Sequence, residues 1–161
     1  MSEPAFDELL RRLAAAEVRF VLVGGLALGA WGVVRGTKDV DIVVDPEPAN
    51  LDRLAEEAVR LGGSVRRPEA LAGSARSIAT LLAAGERVLI DTPLGPIDVV
   101  HGLEGVPSYS ELLPTASDVE VLGVYVPVCS LADLRAMKRA AGRTRDLADL
   151  EDLENARPED R

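Results

Sequence analysis

The sequence predicts an α/β (α+β) fold, a mixed sheet flanked by helices with a helical C-terminal segment. Three observations lead there. Short β-branched runs such as "RFVLV" and "DVDIVV" alternate with longer stretches whose apolar residues recur every three or four positions. The run "RVLIDTPLGPIDVV" carries turn-forming residues at its centre, which requires an antiparallel pair within the sheet. Two helical segments then close the chain with no strand between them. At 161 residues the expectation is one domain over 1–161: a core over about 18–128, C-terminal helices over about 130–154 and a frayed charged tail over 155–161.

Residues 3–16 place Phe6, Leu9, Leu10 and Leu13 on one helical face, with Pro4 in the first turn. "RFVLV" is a short buried strand ending at Gly24-Gly25. "LALGAWGVV" reads as a helix of small residues packed close to a sheet, with Trp31 in the core beneath the glycines. "DVDIVVD" is the second strand, closed by Pro46. Residues 49–61 form an amphipathic helix through Leu51, Leu54, Ala55, Ala58 and Leu61, stopped by Gly62-Gly63. Residues 64–85 suggest an edge strand and a short helix. "RVLIDTPLGPIDVVHG" is a hairpin turning at Pro93-Leu94-Gly95-Pro96, and a loop region leads to one extended stretch, "EVLGVYVPV". Helices over 130–141 and about 144–154 follow.

Composition narrows the function. The formal charge of −9 argues against broad nucleic-acid binding, whose affinity comes from phosphate neutralisation. With 3% aromatic residues there is no stacking platform for single strands. No apolar run reaches the roughly 18 residues of a membrane span, and the N-terminus has no signal pattern. A single cysteine, Cys129, excludes an internal disulfide and suits a reducing cytoplasm.

Asp39 and Asp41 raise the chemical question. Side chains of a strand alternate faces, so these two project together while Val40 and Ile42 take the other side. Neighbouring carboxylates repel unless a cation lies between them, and an all-oxygen site suits Mg²⁺ or Mn²⁺. The plainer alternative is that the strand begins at Val40 and Asp39 merely ends a loop. Gly24-Gly25 lies between strand and helix, where bare N–H groups can cradle phosphate, although such a pair also makes a simple tight turn. Asp98, alternating with Ile97 and Val99, offers a third carboxylate. Asp91, before Thr92-Pro93, is more simply a turn-starting residue.

Glycine pair, thirteen residues, then Asp-Val-Asp, with a later Asp on a neighbouring strand, resembles the nucleotidyltransferase superfamily that includes polymerase beta. More narrowly, "GGLALGAWGVVRGTKDVDIVV", "TPLGPIDVV" and "LRAMKRAAGRTRDLADLEDL" are similar to the small AbiEii-type and minimal nucleotidyltransferases of bacterial toxin–antitoxin systems, over roughly 18–153. The resemblance implies that Asp39, Asp41 and Asp98 hold two Mg²⁺ ions (Mn²⁺ as an alternative) for nucleotide transfer from an NTP such as ATP. Gly24 and Gly25 would lie against the triphosphate, with Thr37 in support. Many members carry Ser where Gly25 stands, so here that phosphate contact falls to the backbone.

The chain holds sixteen arginines and two lysines, and both lysines fall in the matched motifs. Lys38 either meets phosphate or is a solvated loop cation. Lys138 lies in the apolar stripe marked by Leu131, Leu134, Met137 and Ala141, and Asp146 lies in the stripe of Leu147, Leu150 and Leu153. These two form an internal clamp, or Lys138 snorkels to water, or Lys138 reaches the triphosphate with Asp146 orienting it; the last reading is preferred. Arg143 supports the site, and with Arg135, Arg139 and Arg145 it would form a local basic surface for a tRNA 3′ end. A hydroxyl of a partner protein and an aminoglycoside are the other acceptors, and a non-catalytic nucleotide-binding or antitoxin module is the competing class. His101 is assigned no role.

Overall fold

The computed structural model of the chain describes residues 3–66 and 74–157. Helix α1 (Phe6–Ala15) leads into strand β1 (Phe20–Val23), helix α2 (Gly24–Ala30) and strand β2 (Val40–Val44). Helix α3 (Pro48–Arg60), strand β3 (Ser64–Val65) and helix α4 (Ala75–Ala83) follow, then the hairpin β4 (Val88–Asp91) and β5 (Ile97–Val99). A short helix α5 (Tyr109–Leu112) precedes a second hairpin, β6 (Ser117–Val121) and β7 (Val124–Val128), and the chain closes with α6 (Leu131–Ala141) and α7 (Thr144–Ala156).

Among the described residues the strands form one sheet in the order β3-β4-β5-β2-β1-β7-β6. It is mixed, as expected: β2 runs parallel to β5 and β1 parallel to β7, while the remaining pairs are antiparallel. The central strands β1 and β2 carry Val21, Leu22, Val40 and Ile42 at zero exposure, the composition of strands covered on both faces. The α1 stripe behaves as its spacing predicts, with Leu9, Leu10 and Leu13 fully buried. At about 1.5–3 kcal/mol for each such side chain, that face alone holds the helix in place.

Several boundaries differ from expectation for local reasons. Strand β2 begins at Val40, so Asp39 lies in the bend before it. Helix α2 starts at Gly24, taking the glycine pair into its first turn, and stops at Ala30, where Gly32 turns the chain at φ +103°. Trp31 is not core beneath the glycines; it is half-buried, its Nε1 donates to the Cys129 carbonyl at 3.0 Å, and the Arg157 guanidinium lies over its ring. The stretch "EVLGVYVPV" is two strands rather than one. Leu122 and Gly123 both take positive φ and make the two-residue turn of a β-hairpin. Leucine is rare in that conformation, which hid the turn.

The hairpin at 87–102 forms as read: Thr92 donates its hydroxyl to the Gly95 carbonyl and accepts from Leu94 N–H, and Phe6 packs so close to Gly95 that a Cβ there would lie 2.6 Å from its ring. The expectation of an edge strand and short helix over 64–85 is met by β3 and α4, with 67–73 outside the described residues. In the same way 158–161 of the charged tail lie outside them, and α7 continues through Ala156.

Candidate active site

Strands β2 and β5 lie side by side in parallel, and their register sets Asp41 directly opposite Asp98. Equivalent pleat positions on adjacent strands face the same way, so both carboxylates rise from one side of the sheet. Asp39, one residue before β2, adds the third. One oxygen from each of Asp39, Asp41 and Asp98 lies within 4.8 Å of the others. Asp98 is 4% exposed, and the other two are half-buried.

Such a cluster is electrostatically costly by itself. Burial, then Asp98, then Asp39 push the Asp41 carboxyl up to about 7, against a hydrogen bond from Gly25 N–H and the charge of Lys138. Asp39 is raised as well, by burial first and Asp98 second. The donor set is oxygen only, convergent and under mutual repulsion, which fits a hard divalent cation.

The glycine pair makes room for this cluster. Gly24 sits at φ +69°, and a Cβ there would lie 2.0 Å from Asp41 Oδ2. A Cβ on Gly25 would lie 2.7 Å from Thr37 Oγ1 and 2.9 Å from Thr37 Cβ. Thr37 in turn donates its hydroxyl to the Asp39 carbonyl at 3.1 Å, shaping the approach to the triad. Gly25 N–H serves Asp41, so its first partner is a carboxylate and not a phosphate.

A cleft of about 370 Å³ opens over the triad, with Gly24, Arg87, Lys138, Arg143, Arg145 and Asp146 among its walls. Lys138, 7% exposed, is clamped by Asp149 at 2.9 Å and Asp146 at 3.4 Å, as its structural reading expects, and it also lines this cleft. Arg143 forks onto Asp146 through Nε and Nη2, and Arg35, from the α2–β2 loop, ion-pairs with Asp149, its Nη2 donating to Oδ2 at 3.0 Å. Burial raises the Asp146 carboxyl, but the Arg143 hydrogen bonds and the Lys138 charge outweigh it and hold the group below the usual range. Asp146, expected in a stripe with Leu147, instead shares its buried face with Asp149 and Leu153, while Leu147 is 56% exposed.

Lys38 is exposed and is not among the cleft residues, the solvated loop position of its two readings. The four-arginine surface is divided: Arg143 and Arg145 line the cleft, whereas Arg135 and Arg139 line a separate hollow between α6 and α7 with Glu151 and Glu154.

A family model described as "Nucleotidyl transferase AbiEii toxin, Type IV TA system" matches residues 8–161. The chain belongs to that family. Its fold is shared with a solution structure of the antibiotic-resistance factor ANT(2'')-Ia, at TM-score 0.62 and 13% identity over 94% of this chain and 82% of that one. A crystal structure of ANT(2'')-Ia in complex with adenylyl-2''-tobramycin gives 0.50 at 12% identity, over 93% and 95%. No curated protein sequence matches the chain. This AbiEii-family chain therefore has the nucleotidyltransferase fold, with Asp41 and Asp98 on the central parallel pair and Asp39 just before it.

Sequence reasoning missed Arg87, Arg35 and Asp149. Arg87 Nε and Nη2 bond Asp98 Oδ1 and Oδ2 at 2.9 and 2.7 Å. The signal was available: Leu89 pairs with Asp98 in the hairpin, so Arg87, two positions along the same face, is its diagonal neighbour. Asp149 lies one helical turn past Asp146, a spacing that the leucines around it concealed. Asp91 is taken by Arg66 in a bidentate pair and is not among the three converging carboxylates, although the charges of both reach Asp39.

Proposed function

We propose that this AbiEii-family chain transfers a nucleotidyl group from an NTP to a hydroxyl acceptor, using divalent ions held by Asp39, Asp41 and Asp98. The observation that carries the proposal is the convergence of three carboxylates within 4.8 Å at the floor of a cleft walled by cations. When bound, Mg²⁺ or Mn²⁺, as a pair, neutralises phosphate charge and eases removal of the acceptor's proton.

The rest falls to side chains. Nucleotidyl transfer needs in-line positioning and charge neutralisation more than covalent help from the protein. Asp98 orients the acceptor hydroxyl and draws off its proton. Lys138 presents its ammonium to the triphosphate, and its orientation is set by Asp146 and Asp149. Arg143 adds charge at the rim, and Gly24, without a side chain, lets the nucleotide approach Asp41. Thr37 fills the space that a serine at position 25 would need, so the glycine there follows from the packing of this loop and does not argue for a domain that binds nucleotide without turning it over.

The family's description supports a role as a toxin–antitoxin component. Among acceptors, the divided arginines and the net charge of −9 favour a hydroxyl of a partner protein over a tRNA 3′ end. ANT(2'')-Ia, with its adenylylated tobramycin, keeps a small-molecule acceptor in the test. The chain, Mg²⁺ and each NTP are incubated with tRNA, candidate protein partners or aminoglycosides, and pyrophosphate is measured. Release that needs an acceptor and disappears in Asp41→Asn supports transfer. Mg²⁺-dependent NTP binding without pyrophosphate from any acceptor would instead identify a binding module.

A further inference from the structure

The partners of Lys138, Arg143 and Arg87 at the cleft are of two kinds. Lys138 and Arg143 are held by Asp146 and Asp149, which keep them in place whatever the triad binds. Arg87 is held by Asp98, a member of the triad itself. Its fork occupies both Asp98 oxygens, so a dication approaching either one meets a fixed positive charge at hydrogen-bond distance. The pair is also asymmetric. The Asp98 side chain is 5% exposed on a central strand, whereas that of Arg87 is 50% exposed at the start of β4. If one partner yields, it is the arginine, whose guanidinium can rotate into the cleft it already lines.

We propose that Arg87 is a displaceable counter-ion of the acidic triad, holding Asp98 while the ions are absent and turning to the nucleotide's phosphates once they bind. The proposal rests on the reading of Asp39, Asp41 and Asp98 as ion ligands. It makes Arg87 a positioning residue with two successive partners of like chemistry, a carboxylate and then a phosphate. Ion and nucleotide binding are thereby coupled: the ion frees the guanidinium, and the triphosphate gives it a new partner.

The test uses Mn²⁺ alone, followed by electron paramagnetic resonance, and then inorganic triphosphate with saturating Mg²⁺, followed by calorimetry. The full chain is compared with Arg87→Gln and Arg87→Lys, with melting curves to establish that each variant is folded. Arg87→Gln should bind Mn²⁺ about tenfold more tightly, because its competitor is gone, and Mg²⁺–triphosphate about tenfold more weakly, because the phosphate partner is gone. Arg87→Lys should lie between the two on both scales. A purely structural Arg87 would not move the two affinities in opposite directions. Parent protein that binds Mn²⁺ while Arg87→Gln binds it no more tightly overturns the counter-ion proposal and leaves the proposed function standing. Absence of Mn²⁺ binding in both the parent and Arg87→Gln overturns both.

Discussion

Asp41 and Asp98 are register partners across two adjacent parallel strands, so the backbone itself brings two carboxylates onto one face and holds them there. Neither can move away without breaking the β2–β5 ladder. The repulsion between them is therefore built into the folded state and absent from the unfolded one, which makes it measurable as stability.

Asp41 is raised from 3.8 to about 7 by burial and its neighbouring carboxylates. A raised acid stabilises the folded state fully below its unfolded value, and that contribution is lost as pH rises through the folded one. The Asp41 contribution to the stability of ion-free protein should therefore be lost between about pH 4 and pH 7 and stay level above. Asp41→Asn should remove this loss and be more stable than the parent at pH 8 by on the order of 2 to 4 kcal/mol. Urea melts of both proteins across that range check it, and parallel pH profiles would refute it.

The same substitution separates stability from binding. Asp39→Asn or Asp41→Asn should remove Mg²⁺-dependent NTP binding while leaving the fold intact or firmer, because relieving like charge costs the sheet nothing. Calorimetry with and without Mg²⁺ decides it. Variants that bind Mg²⁺–NTP as well as the parent would show that these carboxylates are not ion ligands.

Lys138→Met should affect both properties. Removing one member of a buried ion pair strands its partner, at about 3–5 kcal/mol. Asp146 keeps Arg143 and Asp149 keeps Arg35, so the loss should fall near the lower end, about 3 kcal/mol. Triphosphate affinity, measured on folded protein, should fall about tenfold. A variant with the parent's melting midpoint would contradict the buried clamp, and unchanged triphosphate affinity would contradict a place at the site.

Gly24→Ala and Gly25→Ser should fail for different reasons. At Gly24 the new Cβ meets the Asp41 carboxylate, 2.0 Å away, in a left-handed backbone conformation, so ion binding and stability should be lost together. At Gly25 the collision is with Thr37, and overpacking of this kind costs about 1–3 kcal/mol. Adding Thr37→Gly to Gly25→Ser removes both atoms in the clash and should recover at least about 1 kcal/mol of that loss in a double-mutant cycle. Strict additivity of the two changes would rule out the contact.

Much of this molecule was legible in its sequence because local patterns impose it. Short β-branched runs made strands, leucine spacing made α1 and α3, and "TPLGP" made the hairpin turn. Asp39, Asp41 and Asp98 could be picked out because carboxylates inside valine–isoleucine runs conflict with burial unless something brings them together. Propensity did not reveal the Leu122-Gly123 turn, since leucine rarely takes positive φ, nor the inward face of α7, where buried acids displace Leu147. What only the tertiary structure decided is which charges meet. Arg35 reaches Asp149 across 114 positions of sequence, Arg87 finds Asp98 through hairpin register, and Gly24 is required by a carboxylate on another strand. A local pattern places each side chain on a face. Strand pairing and helix docking choose its partner, and an ion pair depends on distances of a few ångströms that exist only once the chain has folded.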